Sequence, residues 1–264
     1  MALRTSVDMT GRRVLITGAS SGIGRSMALT FADAGAQLVL LDVDASGLAR
    51  VSLESEGAGR PAALCHTIDL GSKSEVDAFW GGLPAGSRPD TIINNAAIYP
   101  MCSFLDVDAP YLDRIMQVNL ESLFWMSQGF IRTRGAAGGV IVNVSSIEAV
   151  SAFKQDMVPY IASKAGVLGF TRALAREYGR KGFRVNALAP GGIKTPGTTA
   201  IARRVFTEAR LGLVKTGYDF MQRLPLGRFG LPEEVAGVAL FLASDLASYV
   251  HGAAIPVDGG FLSA

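Results

Sequence analysis

Tyr160 and Lys164 are the residues whose types and spacing most directly offer chemistry. Four positions apart on a helix, two side chains share a face. A free tyrosine has a pKa of about 10 and is a weak base near neutrality. An ammonium beside it stabilises the phenolate and lowers that value. The pair therefore reads as an acid/base group that moves a proton at a substrate oxygen.

A second constellation lies near the start of the chain. Thr17-Gly18-Ala19-Ser20-Ser21-Gly22-Ile23-Gly24 follows a strand-like run at once and opens a helical segment. Glycines at such a turn let the backbone approach a pyrophosphate and let helix pack on strand. The helix N-terminus adds free N–H groups and the positive end of its dipole. Gly18, Ser20, Ser21, Gly22, Ile23 and Gly24 are thus the expected cradle of a dinucleotide cofactor. About 20 residues on, Asp42 ends the second strand-like run, where a carboxylate can accept from both adenosine-ribose hydroxyls. It would repel a 2′-phosphate, and Ser21 stands where a basic residue could help hold one. These two positions favour NAD over NADP. The positive charge of oxidised nicotinamide would add to that of Lys164 in lowering the Tyr160 pKa.

These residues need a scaffold, and the hydrophobic pattern supplies one. Short apolar runs fall at 13–17, 37–41, 62–68, 91–94, 140–144, 184–188 and 253–257. They are near-continuous, as strands buried on both faces of a parallel sheet are. Helix-length segments alternate with them at 24–34, 46–56, 72–80, 109–133, 159–179 and 232–243. The alternation predicts an α/β fold, a doubly wound Rossmann sheet of about seven parallel strands with helices on both faces. No repeat or linker divides residues 1–264, which read as one dinucleotide-binding and catalytic domain. The stretch 195–231 breaks the rhythm and reads as a lid over the substrate. Its Arg203, Arg204, Arg210 and Lys215 read as a solvated helix face.

Composition narrows the function classes. The chain has 264 residues, of which 49% are hydrophobic and 18% charged, with a net charge of +2. That balance suits a globular protein and gives no basic stripe for nucleic acid. The first residues lack the apolar run of a signal peptide, and the longest apolar stretches are too short to span a membrane. Cys65 and Cys102 form no disulfide framework, so reduced thiols and a cytoplasmic location are expected. His66 and His251 lack metal-ligand spacing, and no metal site is expected. Asp108 reads as the cap of the long helix that follows it.

With these motifs in hand, the sequence resembles the short-chain dehydrogenase/reductase family in its common single-domain form. The resemblance runs from Thr10 to Gly260. It rests on the glycine turn, Asn94-Asn95-Ala96-Ala97, Asn119, Val144-Ser145-Ser146, Tyr160-Ile161-Ala162-Ser163-Lys164, Pro190-Gly191 and Asp258-Gly259-Gly260. It implies hydride transfer between nicotinamide and a secondary alcohol or ketone. Tyr160 would exchange the hydroxyl proton, and Ser146 would hydrogen-bond the same oxygen. Lys164 would hold the cofactor ribose, and Asn119 would anchor a water linking Lys164 to solvent. Asp69 and Leu70 would bracket the adenine. Asn95 and Ala96 would lie along the cofactor, with Pro190 and Gly191 beside it and Ile193 and Thr195 near its carboxamide. A homotetramer is also implied.

Two departures stand out. Thirteen residues separate Ser146 from Tyr160, one more than the family's usual spacing, and Ala97 replaces a frequent glycine. The extra residue falls in 147–159, which usually lines the substrate pocket. Ser145 stays open beside Ser146 as a strand-end hydroxyl. Glu148 either faces the pocket and binds sugar or polyol hydroxyls, or sits at the surface. Tyr99 and Met157, with Met101 and Phe153, are candidates for an apolar substrate wall. The favoured substrate is a small secondary alcohol such as a sugar or polyol. Alternatives are 3-oxoacyl thioester reduction, which Asp42 speaks against, hydroxysteroid oxidation, and an NAD-sensing binding protein without turnover.

Overall fold

The computed structural model describes residues 7–56, 62–198 and 219–264. Residues 1–6 of the amino terminus, the central part of the expected lid (199–218) and the four basic residues in it lie outside the described residues.

Seven strands form one sheet in the order β3-β2-β1-β4-β5-β6-β7, and every pairing is parallel. They are β1 (Arg13–Thr17), β2 (Gln37–Asp42), β3 (Leu64–Thr67), β4 (Thr91–Asn94), β5 (Gly139–Val144), β6 (Phe183–Pro190) and β7 (Ala254–Val257). The order reverses between β1 and β4, and in doubly wound sheets ligands bind in the crevice at such a switch point. The main helices are α1 (Gly22–Asp33), α2 (Ala45–Ser55), α3 (Lys73–Gly82), α4 (Ala109–Met116), α5 (Ser122–Arg134), α6 (Val158–Tyr178) and α7 (Pro232–Ala243).

The two-residue period of a strand divides the core into two layers. On β1, Val14 and Ile16 face one way and pack with Met27, Ala28 and Phe31 of α1, Leu48 of α2, and Val235 and Ala239 of α7. Leu15 faces the other way, into Val76 of α3, Met126 and Phe130 of α5 and Ala175 of α6. All three β1 residues are fully buried, as a central strand covered on both sides requires. Each such side chain contributes about 1.5–3 kcal/mol by leaving water. At the edges the covering thins: β3 and β7 expose alternate or most residues. This is why the expected strand at 62–68 contracts to four residues.

One expected helix is broken. The segment 109–133 begins at an Asp108 cap, whose carboxylate accepts from the Tyr111 N–H at 2.9 Å. It then widens into a π turn over Gln117–Glu121 before continuing as α5. The cause is Asn119, fully buried at the centre of that turn. Its Oδ1 accepts from the Ile98 N–H and its Nδ2 donates to the Ile98 carbonyl, both at 2.8 Å. A loop that must pair both of its backbone groups with one side chain draws the helix out of its regular register.

His251 is structural, joining the Val185 N–H on β6 at 3.2 Å to the Ala175 carbonyl on α6 at 2.9 Å. No helix among the described residues is long and apolar enough to cross a membrane, and those residues hold no cluster able to bind a metal.

Candidate active site

The carboxyl ends of β1, β2, β4, β5 and β6 open onto one cleft of roughly 400 Å³. Its floor begins at the turn after β1. Gly18 and Gly22 have φ of 65° and 55°, which only glycine adopts freely. A Cβ on Gly24 would collide with the Gly18 carbonyl, so the third glycine sets how closely α1 approaches the strand end. Asn95 locks this corner from the end of β4, its Nδ2 donating to the carbonyls of Thr17 at 2.9 Å and Gly18 at 3.1 Å. Helix α1 starts at Ser21 with no side-chain cap and no acidic residue in its first turn. Its leading N–H groups thus meet the cleft without an internal anion. A glycine turn that a Cβ would fill, followed by an uncapped helix start, fits the pyrophosphate of a dinucleotide.

Asp42 closes one end of this cradle. Its Oδ2 accepts from the Ser20 N–H at 3.0 Å and its Oδ1 from the Asp44 N–H at 3.1 Å. Two backbone donors fix the carboxylate and leave a lone pair on each oxygen for further donors. Further along, Asp69 receives Arg114 at 2.9 Å and the Gly71 N–H at 2.9 Å. Burial raises its pKa, but these donors outweigh burial and hold it below the ordinary value. Leu70, Ala96, Pro190, Gly191, Ile193 and Thr195 complete the lining of this half. The chain returning through Gly230 bridges to Ile193, and Thr198 ties the following turn through the Thr195 N–H and the Ile193 carbonyl, both at 2.9 Å.

The other half holds the candidate acid/base groups. Tyr160 and Lys164 both line the cleft from α6, and Ser146 lines it from the end of β5. The Ser146 side chain acts on the Tyr160 phenol in the direction that favours its ionised form. Ser145 also lines the cleft, but its hydroxyl donates to the Lys164 carbonyl at 2.8 Å and so holds strand to helix. The Lys164 ammonium donates to the Val144 carbonyl at 2.8 Å and stands 6.0 Å from the Tyr160 ring centre. Burial lowers its pKa to about 8. Burial also pushes the Tyr160 phenol up, to about 12, with Ser146 opposing the shift and the charge of Glu148 adding to it. This differs from the depression expected from Lys164 alone. The ammonium is aimed at a backbone carbonyl, and removal of the phenol from water dominates.

Asn119, Glu148, Met101 and Phe153 lie outside the lining. Asn119 is sealed in its π turn, its third bond running to Ser163 Oγ at 3.2 Å. Glu148 is neither a cleft residue nor a surface one: it is 2% exposed and stands behind the wall. Its N–H donates to Ser146 Oγ at 3.2 Å, and its Oε2 accepts from the Phe153 N–H at 3.1 Å. The short turn 147–149 folds the side chain back under the loop, and burial raises its pKa.

Tyr99 and Met157 do line the cleft. The Tyr99 ring meets that of Tyr160 edge-on at 6.1 Å. Its hydroxyl sits so close to Gly197 that a Cβ there would collide with it. Phe153 lies behind, stacked on Phe220 and tilted against Phe261, both at 4.9 Å. Sequence reasoning missed Arg114 and Lys154. Both line the cleft from segments without a motif, and only the fold brings them there.

Comparison with known proteins agrees with this architecture. The family model for enoyl-(acyl carrier protein) reductase matches residues 18–262. The chain is 36% identical over 263 residues to a galactitol 2-dehydrogenase (L-tagatose-forming) of Cereibacter sphaeroides, covering 99% of each chain. It is 36% identical over 258 residues to a 3-oxoacyl-(acyl-carrier-protein) reductase of Thermotoga maritima, covering 96% of this chain and 98% of the relative. A solved structure from Beutenbergia cavernae superposes with a TM-score of 0.88 at 34% identity, over 98% of this chain and 99% of that one. That protein is provisionally assigned as an NAD(P)-dependent gluconate 5-dehydrogenase and holds NADP at low occupancy. The chain belongs to the short-chain dehydrogenase/reductase family, as an oxidoreductase that acts on an alcohol or ketone with a nicotinamide cofactor.

Proposed function

We propose that the chain is an NAD-linked dehydrogenase of a small polyhydroxylated secondary alcohol, with Tyr160 as its acid/base. The observation that carries this is the convergence of Ser146, Tyr160 and Lys164 on the lining of one cleft, with Lys164 one helical turn beyond Tyr160. When bound, the nicotinamide supplies the carbon that takes up or gives back the hydride. The chain's own residues bind, orient and move the proton. Ser146 directs the substrate oxygen towards the phenol. Tyr160 accepts the hydroxyl proton at its Oη in oxidation and returns it in reduction. Lys164 would hold the cofactor ribose, and its charge favours the phenolate. Asn119 acts as a positioning residue through the π turn that its side chain locks, because both ends of its amide are already bonded. The π turn lies beside the Lys164 helix and is the proposed place for the water that links Lys164 to solvent.

Gly18, Ser20, Ser21, Gly22, Ile23 and Gly24 would hold the pyrophosphate, Asp42 the adenosine ribose, and Asp69 and Leu70 the adenine. Asn95, Ala96, Pro190, Gly191, Ile193 and Thr195 would lie along the nicotinamide half. The fixed Asp42 carboxylate supports NAD over NADP. A basic residue is missing from the Ser21 position, and a 2′-phosphate would meet a like charge. A sugar or polyol is supported by the galactitol dehydrogenase relative, and Tyr99 and Met157 would contact it. Residues 195–231 would cover the bound substrate, within a single catalytic domain. A homotetramer is supported by the apolar face where Phe124 of α5, 45% exposed, packs on Phe170 of α6 at 4.4 Å. The two unbonded thiols support a cytoplasmic location.

The test is the rate of reduced cofactor formation with NAD and with NADP. The substrates are polyols, sugars, 3-hydroxyacyl thioesters and hydroxysteroids. NAD-linked turnover of polyhydroxylated substrates is the expected result. NADP-linked turnover of thioesters would replace this reading with the acyl reductase one.

A further inference from the structure

We infer that the substrate carries a carboxylate and that Lys154 receives it, so the proposed alcohol is a small polyhydroxy acid. The inference rests on the reading of the cleft given above and narrows its substrate class.

Lys154 lines the same cleft as Ser146, Tyr160, Tyr99 and Met157. Its side chain is 45% exposed. Glu148 stands directly behind it, with its Oε1 at 3.9 Å from the Lys154 ammonium. That distance holds an ion pair but is too long for a hydrogen bond. Glu148 Oε1 accordingly has no hydrogen-bond partner among the described residues, although it is buried. The ammonium makes no hydrogen bond to a described residue either, and it lies 5.5 Å from the centre of the Phe153 ring. A buried carboxylate thus holds a cation near the cleft wall while no described residue takes its three donors.

The remaining charges of the cleft agree in sign. The carboxylates that line it, Asp42 and Asp69, sit at the ends of β2 and β3, in the half assigned to adenosine, and Asp69 is tied to Arg114. Among the described residues, the charged lining residues near Ser146 and Tyr160 are Lys154 and Lys164, and Lys164 is directed at the Val144 carbonyl. A neutral polyol would leave Lys154 to be solvated by water. A carboxylate would complete a charge-assisted bond in the same cleft as the reacting hydroxyl. Lys154 also lies in the loop that is one residue longer than the resemblance leads one to expect. The left-handed Asp156, with φ of 60°, turns that loop back into α6.

The experiment compares a hexitol with the aldonate of the same carbon chain. NAD-linked oxidation of both is measured in wild type, Lys154→Met and Lys154→Arg. The expected wild type prefers the aldonate. The ratio of kcat/KM for aldonate over hexitol falls about 10- to 100-fold in Lys154→Met, chiefly through KM, and is largely kept in Lys154→Arg. A wild type that oxidises the hexitol as well as the aldonate, or a ratio that Lys154→Met does not change, overturns the inference and leaves the polyol reading standing. Oxidation of neither compound overturns both.

Discussion

At the scale of single residues, two side chains are held at protonation equilibria away from their ordinary values. Lys164 is buried with its pKa lowered to about 8 from 10.5. The unfolded chain therefore binds more protons between those two values, and stability rises as pH climbs through that window. Below about pH 8 the buried charge costs up to roughly 3 kcal/mol. Lys164→Met should accordingly melt higher than wild type at pH 7, with the gap narrowing towards pH 10, while turnover falls at least about 100-fold. Thermal denaturation across pH, paired with a rate assay, checks both halves. The Tyr160 phenol, raised to about 12, stays protonated across the working range without help. Reduction should hold its rate at neutral pH, whereas oxidation should accelerate with rising pH as the base form grows. Steady-state rates in both directions read this difference. Tyr160, Lys164 and Asp42 were legible because their chemistry depends on residue type and short spacing. Glu148 and Lys154 were not, because a loop alone decides which of two neighbours six apart faces the cleft.

At the scale of elements, the turn after β1 and the π turn position everything else. Gly24→Ala would drive a methyl into the Gly18 carbonyl, which neither strand nor helix can yield to cheaply. A loss of about 1–3 kcal/mol is expected, with weaker NAD binding, measurable by denaturation and by cofactor titration. Asn119→Ala would strand both backbone groups of Ile98, at about 1–3 kcal/mol. It should let the helix relax towards regular α geometry and lower kcat more than it changes cofactor affinity. Strands and most helices were readable because apolar periodicity reports burial on both faces of a parallel sheet. The π turn over Gln117–Glu121 was not. Its cause is a contact with Ile98, 21 residues earlier in the chain.

At the scale of the whole molecule, strand alternation predicted the seven-stranded parallel sheet and its helical layers, which the structure has. Assembly lies beyond one chain. Phe124→Asp should convert the expected tetramer to smaller species, with light scattering as the readout. An unchanged mass would place the interface elsewhere. The proposed function depends on proton transfer by one phenol, that of Tyr160. The most direct test is the rate of substrate oxidation in Tyr160→Phe, with NADH binding measured on the same sample. The result predicted is a loss of about 10²–10⁴-fold in kcat with cofactor binding retained. Turnover at the wild-type rate with the phenol removed would contradict it.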